Sequence, residues 1–238
     1  MSDDKYQVEI RSYQSANIPL IGRAVHNEVV FSVNGQPLFA FNGDAYNRRS
    51  GELTNFSTSG EDTLRVRVLE GVALQDIAPD YPLVSQTVAA NLSKEEFVRG
   101  LAHAVEASEF INSQNLNYII VGAPILRGHH FEAQNSNSAA NTIMTAMGIP
   151  IPAEVRSQWA PGQDRLLLPE GWKPRTDSMT HEERVAFLKE RLGKLEENTV
   201  GAQVRNDPNP NTPELHKPAD FVRPPSQIFF DPKPTSAF

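Results

Sequence analysis

The chain has 238 residues, 39% of them hydrophobic, with no cysteine and a formal net charge of -7. Those figures allow one sizeable globular domain or two small ones, and they exclude disulfides, thiolate metal sites and a cysteine nucleophile. A net negative chain whose longest basic run is Arg48, Arg49 fits a phosphate backbone poorly, so no nucleic-acid partner is expected.

No stretch of about 18 apolar residues suggests a membrane span, and MSDDKYQVEI lacks the basic and apolar regions of a Sec signal. The cytoplasm is the default expectation, with delivery by a dedicated secretion apparatus as the alternative. Tyr6 to Tyr13 alternates apolar and polar residues as a half-buried strand does. Gly22–Val33 and Gln36–Asn42 are β-branched and aromatic, and they flank Asn34-Gly35, the dipeptide of a tight hairpin. Asp44 to Gly60 is polar and rich in Gly, Asn and Ser, which reads as a surface loop, and its carboxylates Asp44 and Glu52 read as solvated, like Glu61 and Asp62 beyond it. Leu64 to Leu69 alternates again, whereas Tyr81 to Ala90 is ambiguous.

Ser93 and Glu96 form a capping box ahead of a helix over about 94–112. Asn117 to Gly122 is a short buried-strand pattern leading to a loop with His129 and His130. These adjacent histidines do not make a metal pair. QNSNSAANTIMTAMG, Gln134 to Gly148, opens with four cap-capable residues and continues with Ala139, Ala140, Ile143, Met144 and Met147 on one helical face. Gly148 and Pro150 stop it. Residues 149–174 hold five prolines and read as irregular coil. Thr180 with Glu183 caps a further helix carrying Val185, Leu188, Leu192 and Leu195. Residues 207–238 form a proline-rich extended tail, with partial docking through Phe229 and Phe230 expected. The expected fold class is therefore α+β, a small antiparallel sheet against two or three helices within 1–206, followed by that tail.

Two features carry chemistry. His26 lies inside a strand, where a half-buried histidine is usually structural. Ser136 stands at a helix start, where plain capping is the ordinary role but where oriented N–H groups and the macrodipole also favour a nucleophile's negative charge. A strand histidine, a polar residue ending the next strand and a serine opening a later helix supply base, orienter and nucleophile for acyl transfer. There is no Walker, dinucleotide, HExxH or GxSxG pattern, and no cofactor or metal is expected.

The histidine of VHNEVVFSVNG, the following strand ending in Asn42 and Gly43, the NSNS helix start and the later Pro161-Gly162 pair resemble the permuted papain-like hydrolases and acyltransferases. Those include the NlpC/P60-like, lecithin:retinol acyltransferase-like and PPPDE-like groups, and the likeness covers roughly 22–162. It implies His26 as base, Asn42 as orienting group and Ser136 in the place of the usual cysteine nucleophile. Asn135 then stands at the helix start, and the amides of Asn137 and Ser138 are candidate substrate-binding donors on helix geometry. The expected function is a hydrolase or acyl transferase on an amide or ester. The alternative, favoured by serine replacing cysteine, is a catalytically silent binding or effector module for a protein partner. The resemblance also favours a hairpin loop of three residues, Val33 to Gly35, which sets His26 directly opposite Asn42. A two-residue loop with an unbroken ladder would send the two side chains to opposite faces, so only the three-residue register, or a bulge with the same effect, lets Asn42 orient the imidazole. Substrate and oligomeric state are not legible.

Overall fold

The computed structural model describes residues 4–18, 22–54, 62–72, 82–119, 133–158 and 160–203. His129, His130, Glu61 and the 207–238 tail, with its expected docking, lie outside them. The fold is α+β. Strands β1 (Tyr6–Ile18), β2 (Gly22–Val33), β3 (Gln36–Asn47), β4 (Asp62–Glu70) and β5 (Leu83–Leu92) form one antiparallel sheet in the order β4-β3-β2-β1-β5. The helices are α1 (Lys94–Ser113), α2 (Ser136–Ala146), the short α3 (Ala153–Arg156) and α4 (His181–Gln203), with a 3-10 turn at Arg175–Ser178.

Both expected capping boxes are in place. Ser93 and Glu96 close the start of α1, and Thr180 and Glu183 exchange bonds at the start of α4. Strand alternation gives the sheet one apolar face, Val8, Ile10, Val29, Phe31, Phe39 and Phe41, which packs with Phe97, Leu101, Val105, Ile143 and Met144 of α1 and α2. Deleting such a side chain, as in Phe31→Ala, costs roughly 3–5 kcal/mol because the cavity does not fully collapse. The opposite face carries a small cluster of Val30, Ala40 and Leu69, and a set of buried polar groups. There Glu9 pairs with Arg11 at 3.1 Å and accepts from Ser32 at 2.6 Å, and Tyr13 donates to Glu28 at 2.9 Å.

Two expectations about β3 change. The hairpin loop has two residues, since Asn34 (φ 55°) and Gly35 (φ 78°) both take the left-handed conformation and Val33 pairs with Gln36. The register shifts inside β3 instead, between Phe31 and Ser32 on the facing strand, leaving Leu38 as the extra residue and setting Phe39 opposite Phe31 and Phe41 opposite Val29. His26 and Asn42 accordingly share a face, though not directly opposite each other, because the β2–β3 ladder ends at Val29 and Phe41. Secondly, β3 does not stop at Asn42. It continues to Asn47, with Asp44, Ala45 and Tyr46 paired to Arg65, Leu64 and Thr63 of β4, so Asp44 is a strand residue and not a loop carboxylate. Asp62 likewise opens β4 and is buried, accepting from Thr54 at 3.1 Å.

Candidate active site

Past Val29 the β2 and β3 strands part, which leaves the β3-facing backbone of β2 to find other partners. Asn137 of α2 provides them. Its Oδ1 accepts from the Asn27 N–H at 2.9 Å, and its Nδ2 donates to the Val25 carbonyl at 2.9 Å, so one side chain stands in for a strand on both sides of His26. The same Nδ2 donates to the Pro161 carbonyl at 3.1 Å.

Asn135 is the N-cap of α2. Its Oδ1 takes the Asn137 and Ser138 amides at 2.9 and 3.4 Å, its Nδ2 donates to the Pro161 carbonyl at 3.0 Å, and its own N–H donates to the Ser138 hydroxyl at 2.8 Å. The Asn137 and Ser138 amides considered as substrate donors are thus already paired, and their side chains serve the anchor and the capping box. Gly162 explains its place after Pro161: at φ 86° a Cβ there would lie 3.1 Å from both the Ala133 carbonyl and Asn135 Oδ1. Ser136 is 3% exposed, and neither its hydroxyl nor its N–H has a hydrogen-bond partner among the described residues. β3 comes close to it because residue 43 is glycine: a Cβ at Gly43 would stand 2.8 Å from Ser136 Cα and 3.0 Å from Ala139 Cβ.

On the β2 side of the parting, His26 Nε2 is hydrogen-bonded to Asn42 Oδ1. Asn42, fully buried, donates from Nδ2 to Asp44 Oδ1 at 2.9 Å, and Asp44 Oδ2 accepts from Arg67 Nε at 2.9 Å. With its amide oxygen, which only accepts, turned toward the ring, Asn42 calls for the ring proton on Nε2 and the lone pair on Nδ1. Burial holds the His26 imidazolium pKa below its ordinary value, against the pull of the Asp44 charge and the Asn42 bond, which keeps the ring neutral near pH 7. Burial also pushes the Asp44 carboxyl up, against the Arg67 guanidinium. The Tyr13 ring, paired across β1, lies 6.5 Å from the imidazole.

By alternation, the His26, Asn42 and Asp44 side chains leave the sheet on the face away from Phe41, while Gly43 turns toward α2. Ser136 therefore lies on the α2 side of the sheet and the His26 side chain on the other, near the place where the strands separate, with no hydrogen bond between them among the described residues. Asp44 and Arg67 were missed in the sequence because GDAYN reads as a turn and Arg67 lies in LRVRVL as an ordinary outward strand residue. Their spacing, with Asp44 two residues past Asn42 on one strand face, was the available signal. Among the described residues no group of three or more His, Asp or Glu could hold a metal ion, and no helix is long and apolar enough to cross a membrane. No family model matches the chain, and searches of curated proteins and of solved structures find no match either.

Proposed function

We propose that this protein is a hydrolase or acyl transferase for an amide or ester, of permuted papain-like design, with Ser136 as nucleophile, His26 as base and Asn42 orienting the ring. The observation that carries the reading is the Asn137 anchor, which ties the residue after the nucleophile to the backbone on either side of the base. Capping of α2, which Asn135 supplies, has no need of such a tie. In the proposed reaction Ser136 Oγ attacks the carbonyl carbon while its proton passes to His26 Nδ1. The oxyanion of the tetrahedral intermediate meets the Ser136 N–H, which has no other partner among the described residues, and the positive end of α2. Collapse breaks the bond to the amine or alcohol, which leaves with the proton from His26. Water or a second acceptor then releases the acyl group by the reverse sequence.

One observation favours a second reading. The two side chains start from opposite faces of the sheet and share no hydrogen bond, as befits a relative that keeps the scaffold as a binding module. Turnover separates the two. Screening p-nitrophenyl esters and peptide amides should find a substrate whose cleavage falls by at least about 10²-fold in both Ser136→Ala and His26→Ala, the size of a lost general base. Cleavage that survives either substitution contradicts the assignment, and absence of any cleavage favours the binding module.

A further inference from the structure

We infer that Asp44, held by Arg67, is a positioning residue that fixes His26 as the Nε2–H tautomer by dictating which way the Asn42 amide faces. The two ends of an asparagine amide are alike in shape but opposite in hydrogen bonding. Asn42 is fully buried between two partners, so its orientation must be chosen by one of them. The imidazole cannot choose, because either of its tautomers satisfies one orientation. The carboxylate can. Arg67 Nε donates to Asp44 Oδ2 and has no acceptor to offer in return, so its charge favours the ionised carboxylate against the burial that raises its pKa, and the other oxygen then takes a donor, Asn42 Nδ2. Reversing the amide would set its carbonyl against that charge and its NH2 against Nε2, forcing the ring proton onto Nδ1.

No other described group competes for the role. The charged or titratable groups on the His26 side are Tyr13 from β1, Glu28 on its own strand, which accepts from Tyr13, Asp44 from β3 and Arg67 from β4, and only Asp44 also bonds Asn42. Around Asp44 stand Arg67 and Arg65 on β4, His26 on β2 and Tyr46 on its own strand. Arg65 is engaged elsewhere, with the Asn112 carbonyl and Asn115 at the end of α1. The consequence for acyl transfer rests on the reading of His26 as base, since only a bare Nδ1 can take the Ser136 proton. The tautomer itself does not rest on that reading.

Long-range proton–nitrogen correlation spectra of the full chain labelled with 15N-histidine, recorded above neutrality, read the tautomer directly. The wild type should show His26 with a protonated Nε2 and an unprotonated Nδ1. Asp44→Ala should replace that pattern with a mixture, and the isosteric Asp44→Asn, retained in case the alanine variant does not fold, should do the same and lower the His26 titration midpoint. Asn42→Ala calibrates the spectrum of an unrestrained ring. A wild-type ring protonated at Nδ1, or Asp44 variants with the wild-type pattern and midpoint, would overturn the inference. If the tautomer responds as stated while a fluorophosphonate fails to label wild-type Ser136, the positioning role stands and the hydrolase reading fails. If Ser136 is labelled, its labelling should slow by at least about tenfold in Asp44→Asn, as expected when a base loses its orientation.

Discussion

At the scale of single residues, asparagine does most of the joining. Asn135, Asn137 and Asn42 each use both ends of the amide, accepting on one side and donating on the other. Asparagine at 135 does more than cap. Asn135→Ala should lower stability by about 1–2 kcal/mol through the cap alone, and by more because the Pro161 carbonyl also loses a buried donor. Asn135→Asp keeps the cap but places a carboxylate oxygen against that carbonyl, so denaturant unfolding should rank it below the wild type as well. An aspartate variant as stable as the wild type would show that the Pro161 bond contributes nothing. Gly43→Ala tests the closeness of β3 and α2. With a Cβ 2.8 Å from Ser136 backbone, relief requires the strand and helix to separate, at a cost of about 1–3 kcal/mol. An unchanged unfolding midpoint would contradict that packing.

At the scale of elements, the site is the meeting of a helix start with two strands that have parted. Because the chain has no cysteine, Ser136→Cys introduces its only thiol, and that thiol reports the electrostatics of the place. If His26 serves position 136 as proposed, the start of α2 and the imidazole together should bring its pKa below the ordinary value of about 8.5. Iodoacetamide alkylation measured against pH should therefore reach half-rate below that value, and His26→Ala in the same background should move it up. A midpoint at the ordinary value, unaffected by His26, would place the two groups out of reach of each other. The helix was legible in the sequence because NSNS and the 3.6-residue apolar spacing are local signals, and so were both capping boxes and the place of the hairpin turn at Asn34-Gly35, though not the length of its loop. The course of β3 was not. The extra residue at Leu38 exists because Phe39 and Phe41 gain places opposite Phe31 and Val29 on the core face, a gain visible only once the sheet is assembled. GDAYN continues as a strand for a similar reason: Gly43 and Ala45 are small enough to lie under α2 and beside Leu64, whereas the same letters read locally are those of a turn.

At the scale of the whole molecule, the histidines tie stability to pH. His26 and His103, the latter 5% exposed in α1 with Nε2 3.0 Å from Asp177, both have pKa values held down by burial. A depressed histidine pKa means that the folded chain declines protons which the unfolded chain accepts. The stability it confers is complete above the ordinary value near 6.5 and is lost as pH falls through it. Thermal midpoints should accordingly drop between about pH 7 and 5, and less steeply in His103→Gln, which removes one of the two groups. A slope unchanged by that substitution would mean that His103 titrates alike in both states.

The proposed role of Ser136, a nucleophile activated by His26, is tested by covalent capture. The full chain is treated with a fluorophosphonate near pH 8, digested, and the adduct located by peptide mass spectrometry. A single adduct on Ser136 is expected, one that disappears in Ser136→Ala and forms at least about 10²-fold more slowly in His26→Ala. No adduct on the wild type, or one on Ser136 that forms equally fast without His26, would contradict it.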